Sequence, residues 1–123
     1  MIIGIGCDII DTRRIGKLIE KYQSRFLERV FTEDEIKLAG NIKNYSYFAK
    51  RFAAKEAYAK ATKNGIGRQI RFKAIEIFND EKRCPFFNQH PLMDKGIKAF
   101  VSISDEMPYA ISYVTLTLYK YST

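Results

Sequence analysis

Met1 and the six residues after it are apolar and largely β-branched apart from Gly4 and Gly6, a pattern that predicts a buried opening strand. The two glycines flank Ile5 and imply that another segment approaches this backbone closely. Ile15, Leu18, Ile19 and Tyr22 then recur at helical spacing, with Arg14, Lys17, Lys21 and Arg25 falling on a different face, so an amphipathic helix with a basic outer side is expected. Thr32 followed by Glu35 is a capping box and announces a second, short helix. The longest helical stretch covers residues 45–62 without Pro or Gly, and Ala49, Ala53, Ala57 and Ala61 form a smooth line along it. That helix should stop near Asn64 and Gly65, where glycine accepts the positive φ of a C-terminal cap.

Ile70, Phe72, Ile75 and Ile77 predict a second strand, residues 79–81 a turn, and residues 84–87 a short strand whose Pro85 favours a sheet edge. Residues 89–96 carry no clear pattern. Residues 100–104 and 109–119 predict two antiparallel strands joined through residues 105–108, with Val101 and Ile103 on one face. The order strand, helices, strands gives an α+β fold, an antiparallel sheet packed against one long helix with shorter helices near the N-terminus. A length of 123 residues allows one domain, 1–123.

Composition narrows the class. Apolar residues are 46% of the chain and aromatics 14%, enough for a closed core and against disorder. Twenty-one Lys and Arg against fourteen Asp and Glu leave a net charge of +7, which points to an anionic partner: nucleic acid, acidic protein, phosphorylated metabolite or anionic membrane. Cys7 and Cys84 are too few and too separate for a zinc site or a disulfide framework, so a reducing, cytoplasmic setting is expected. The apolar opening has no basic leader and meets Asp8 too soon for a signal peptide or a membrane span of about 20 residues.

Between Ile36 and Ile75, ten Lys and Arg residues stand against a single acid, Glu56. A solvated helix usually interleaves both signs. The plain structural reading pairs Glu56 with Lys60 one turn on. The functional reading adds Asp8 at the end of the glycine-flanked strand, since two carboxylates together with diphosphate oxygens suit Mg²⁺, which takes few protein ligands. Spacing alone does not choose between them.

The segments around these acids, Gly4-Ile-Gly-Cys-Asp8-Ile-Ile-Asp-Thr-Arg-Arg14-Ile15 and Arg51-Phe-Ala-Ala-Lys55-Glu56-Ala-Tyr-Ala-Lys60-Ala61, resemble the two signature motifs of the holo-acyl-carrier-protein synthase family in order, separation and distance from the N-terminus. The resemblance continues through Asn64-Gly-Ile-Gly67, Ile75-Glu-Ile-Phe-Asn-Asp80 and Val101-Ser-Ile-Ser104 with Tyr109-Ala110. It implies transfer of the phosphopantetheine arm of coenzyme A to a serine of apo acyl carrier protein, with release of adenosine 3',5'-bisphosphate, in fatty acid synthesis. It places the metal-binding acids at Asp8 and Glu56, makes these two with Lys60 the catalytic set, and puts coenzyme contacts at Arg51, Lys55, Lys60, Lys63, Gly65, Pro85 and Ser102. Arg14 matches the family's carrier-contacting arginine, and Lys17, Lys21 and Arg25 extend that patch. The short single-unit form of the family implies a homotrimer with the coenzyme in clefts between subunits.

No catalytic histidine is evident. His90, beside Pro91, reads as an ordinary surface residue, which leaves a metal-bound water, or Glu56 acting through one, as the base. The chain departs from the family pattern at Phe100 and Asp105, where histidines are usual, at Lys63, where a glycine is usual, and at Arg83-Cys84, in place of Gly-Lys. Lys63 and Arg83 are candidate substitute phosphate donors. A nucleic-acid module would need Tyr45, Tyr47, Phe48, Phe52 and Tyr58 as stacking surfaces, but the helix pattern buries most of them and no nucleic-acid-binding motif is present. A noncatalytic protein docking through the first helix gives no purpose to Asp8 and Glu56. The expected partners are therefore coenzyme A and apo acyl carrier protein, with neither nucleic acid nor membrane.

Overall fold

The computed structural model describes residues 1–67 and 69–119; Arg68, one of the basic residues of the middle segment, lies outside them. The chain runs β1 (Ile2–Asp11), α1 (Thr12–Tyr22), α2 (Ser24–Val30), α3 (Glu33–Ala39), α4 (Tyr45–Ala61), β2 (Glu76–Asn79), β3 (Pro85–Gln89), β4 (Ile97–Glu106) and β5 (Tyr109–Leu118), with 3₁₀ turns at Phe72–Ala74 and Met93–Lys95. One antiparallel sheet has the order β1-β5-β4, and β2 pairs with β3 in a separate ribbon. Both the α+β class and the packing of the sheet on the long helix match the expectation from sequence.

Local chemistry sets the boundaries. Asp11 ends β1 and caps α1, its carboxylate accepting from the Arg13 amide at 2.9 Å. The capping box at Thr32 is present in full, with Thr32 Oγ1 accepting from the Glu35 amide and Glu35 Oε1 accepting from the Thr32 amide. α4 is buried nearly all round, because one hydrophobic cluster joins it to α1, α2 and Phe31 while a second joins it to β2, β3 and the sheet. Gly4 and Gly6 explain how closely it lies. A Cβ on Gly6 would fall 1.9 Å from the Ala57 carbonyl oxygen, and one on Gly4 would fall 2.1 Å from that of Ala61. The alanine line therefore meets β1 backbone to backbone.

Three expectations change. α2 was not foreseen, since its seven residues show no separate start signal in the sequence. The strand expected from Ile70 begins only at Glu76, because Phe72 turns onto Phe52, ring centroids 5.3 Å apart, and its carbonyl is taken by Lys55. His90 is not a surface residue. It is 8% exposed, and its Nδ1 lies 2.9 Å from the Tyr58 hydroxyl, which itself accepts from the Leu92 amide.

Only one face of the main sheet meets α4. Register aligns Ile9 with Ile111 and Ser104, Cys7 with Tyr113 and Ser102, and Ile5 with Thr115 and Phe100, all on the opposite face. This face is open and apolar, with Ile9 61% and Phe100 54% exposed. Among the described residues no helix is long and apolar enough to cross a membrane.

Candidate active site

Strand alternation turns Asp8 toward α4, and helical spacing brings Glu56 and Lys60 to the flank of α4 beside it. Lys60 Nζ donates to Asp8 Oδ1 at 2.9 Å and to the Cys7 carbonyl at 3.1 Å. The intrahelical Glu56–Lys60 pair of the plain reading is thus replaced by an ion pair between elements. Glu56 is half-buried, and burial, followed by the charge of Asp8, pushes its carboxyl above the ordinary range, while Lys60 and Arg14 pull it back. The two acids that sequence could not show to meet share one electrostatic site.

Among the described residues no third His, Cys, Asp or Glu joins them. Nor does Glu56 or Asp8 Oδ2 take a hydrogen bond from the described residues. Two carboxylates with spare lone pairs and few neighbours suit a hard divalent cation that draws its remaining ligands from water or phosphate, and do not suit zinc.

The expected basic contacts divide. Lys60 is at the acids and half-exposed. Arg14 acts on Glu56 and also lines a groove of about 470 Å³ with Lys17, Lys21, Leu18 and Tyr22, while Arg25 lines a second groove with Leu18, Tyr22 and Phe26. Lys63 is exposed just past α4, beside the loop that holds Gly65. Pro85 opens β3 in the small ribbon, and Ser102 sits on the open sheet face, away from Asp8.

Lys55 is a correction. Its side chain is wholly buried, and its ammonium donates to Glu35 Oε1 at 2.6 Å, the Val30 carbonyl at 2.7 Å and the Phe72 carbonyl at 3.1 Å, leaving no surface from which to meet a coenzyme. Burial brings its pKa down to about 8, with Glu35 opposing. Arg51 is also turned inward: 4% exposed, it stacks on the Tyr47 ring at 3.8 Å. Sequence reasoning missed this buried network, which continues through Glu35 Oε2 to the Ile77 amide and through Thr32 to Glu76. The capping box located Glu35, but nothing in the sequence marked its second oxygen as a partner for the ribbon.

Known proteins match this chain in sequence and in fold. Residues 4–114 match the profile of the ACPS family, 4'-phosphopantetheinyl transferase superfamily. The holo-[acyl-carrier-protein] synthase of Anaplasma marginale (strain Florida) is 42% identical over 120 residues, covering 94% of this chain and 98% of that protein. The crystal structure of holo-[acyl-carrier-protein] synthase from Neisseria meningitidis superposes with a TM-score of 0.86 at 37% identity, over 95% of this chain and 99% of that one. A Bacillus anthracis str. Ames holo-(acyl-carrier-protein) synthase, solved in complex with CoA (3',5'-ADP), gives 0.85 at 37% identity, over 97% and 99%. With nearly the whole chain matched in sequence and in fold, and with its two motif acids brought together on β1 and α4, this chain belongs to the holo-[acyl-carrier-protein] synthase family of 4'-phosphopantetheinyl transferases.

Proposed function

We propose that this chain moves the 4'-phosphopantetheine group of coenzyme A onto a serine of apo acyl carrier protein in the cytoplasm, as a step in fatty acid synthesis, with Asp8 and Glu56 holding Mg²⁺. The observation that carries the reading is the convergence of these acids beside Lys60. When bound, Mg²⁺ polarises the diphosphate and neutralises the charge that builds on the leaving phosphate. Lys60 supplies a second positive charge at the same place, since its bond to Asp8 keeps it protonated. The serine oxygen forms a new bond to phosphorus, the bond to the bisphosphate leaving group breaks, and the serine proton passes to a water and through it to Glu56. Positioning and charge neutralisation carry most of such a transfer.

Lys63 and Gly65, beyond the end of α4, and Pro85 and Ser102 are assigned to the coenzyme, and Arg14, Lys17, Lys21 and Arg25 to the acidic carrier. Ser102 lies on the open sheet face, so it completes a site only if a second copy brings that face against the acids. The exposed apolar side chains of Ile9, Ile111 and Phe100 on that face support this, because such a face is stable in water when covered, and a homotrimer covers it in every subunit.

Incubation with apo acyl carrier protein, coenzyme A and Mg²⁺ should add one phosphopantetheine to the carrier by mass spectrometry, and Glu56→Gln should lose most turnover at saturating Mg²⁺. An unmodified carrier from folded enzyme overturns the activity, and near-normal turnover in the variant overturns the role of Glu56. Light scattering should give a trimer for the wild type and a smaller species for Ile9→Glu; a monomeric wild type rules the assembly out.

A further inference from the structure

Two buried side-chain polar atoms among the described residues have no hydrogen-bond partner, Arg51 Nε and Ser112 Oγ. The first belongs to a guanidinium that already rests on the Tyr47 ring. Ser112 has no such compensation. It is 0% exposed on the face of β5 turned toward α4, and strand pairing sets it directly opposite Asp8. Its neighbour on the other side is Ile103, and the inward-facing residues before and after it on β5 are Ala110 and Val114. Asp8 is thus the one acceptor side chain among these sheet neighbours.

A sealed hydroxyl with nothing to bond costs stability, and alanine would occupy the same place without that cost. Directly opposed residues have Cβ atoms about 4.5–5.5 Å apart, so rotation about χ1 suffices to bring a serine hydroxyl onto a facing carboxylate. Lys60 holds Asp8 Oδ1, and Oδ2 takes no hydrogen bond from the described residues.

We propose that Ser112 is a positioning residue for the acid pair, its hydroxyl donating to the Asp8 carboxylate and holding it toward Glu56. The proposal rests on the reading of Asp8 and Glu56 as cation ligands. Ser112 acts through Asp8 and touches neither substrate nor cation. Its removal weakens cation binding and leaves the fold intact, whereas a mere packing residue would affect the fold alone.

Mn²⁺ is the probe, with free ion followed by electron paramagnetic resonance in the presence of coenzyme A, for the wild type, Ser112→Ala, the near-isosteric but weakly donating Ser112→Cys, and Asp8→Asn. The two Ser112 variants should stay folded, with melting temperatures close to that of the wild type, and bind Mn²⁺ about tenfold more weakly, the size of effect usual for a group that orients a metal ligand. In turnover, the Mg²⁺ concentration for half-maximal rate should rise with kcat at saturating Mg²⁺ little changed. Unchanged Mn²⁺ affinity in both variants, while the wild type binds and Asp8→Asn does not, overturns the role of Ser112 and spares the acid pair. Absence of Mn²⁺ binding in the wild type, or equal binding by Asp8→Asn, removes the acid-pair reading and this proposal with it.

Discussion

Lys63 follows the C-cap of α4 with φ at 69°, and Arg83 closes the β2–β3 turn with φ at 64°. A side chain in this left-handed region brings Cβ against the backbone, which glycine avoids. Both are positions where the family resemblance expects glycine. Lys63→Gly and Arg83→Gly should each raise stability by about 0.5–1 kcal/mol in urea unfolding. If Lys63 serves as a phosphate donor, its glycine variant gains stability while its KM for coenzyme A rises; an unchanged KM removes Lys63 from the coenzyme site. His90 sets a second expectation. Burial holds its pKa below the ordinary value of about 6.5, with Asp94 opposing. As pH falls through 6.5 the unfolded chain takes up this proton first, so stability is full above 6.5 and declines toward the folded-state value. His90 is the only histidine in the sequence. The drop in melting temperature between pH 8 and pH 5.5 should therefore be larger in the wild type than in His90→Gln, and equal drops would exclude the effect.

At the level of elements, the contact between β1 and α4 fixes the site. Gly6→Ala must push the Ala57 carbonyl away and should cost roughly 3 kcal/mol. Gly67→Ala, with nothing within 4 Å of the added methyl, should change stability by about 0.5 kcal/mol or less. Equal unfolding midpoints for the two would refute the close-approach argument. The sequence made this contact legible because two glycines in a strand and four alanines in a helix are complementary reductions of side-chain bulk. Asp8, Glu56 and Lys60 were legible as a set only through the resemblance of their two motifs, since spacing alone left the acids unconnected. The Lys55–Glu35 pair was not, because a lysine next to a motif glutamate reads the same whether it faces solvent or interior. Only the turn of α4 against Val30 and Phe72 decides it. Apolar alternation from Ile70 to Ile77 misled for a related reason: a segment that packs on a helix through Phe72 shows the same period as a strand.

For the whole molecule, a net charge of +7 and the basic grooves along α1 and α2 predict that salt slows carrier encounter. The carrier KM should rise with ionic strength while kcat stays nearly constant, and the combined Lys17→Ala, Lys21→Ala and Arg25→Ala variant should flatten that dependence; an equally steep dependence in the variant moves the carrier elsewhere. The acids behave differently. Because main chain rests on main chain where β1 crosses α4, the spacing of Asp8 and Glu56 is insulated from drift in the side chains around it. Mutation can redraw the surrounding surfaces without detuning the proposed cation site, which leaves specificity free to evolve at the periphery of an unmoved centre.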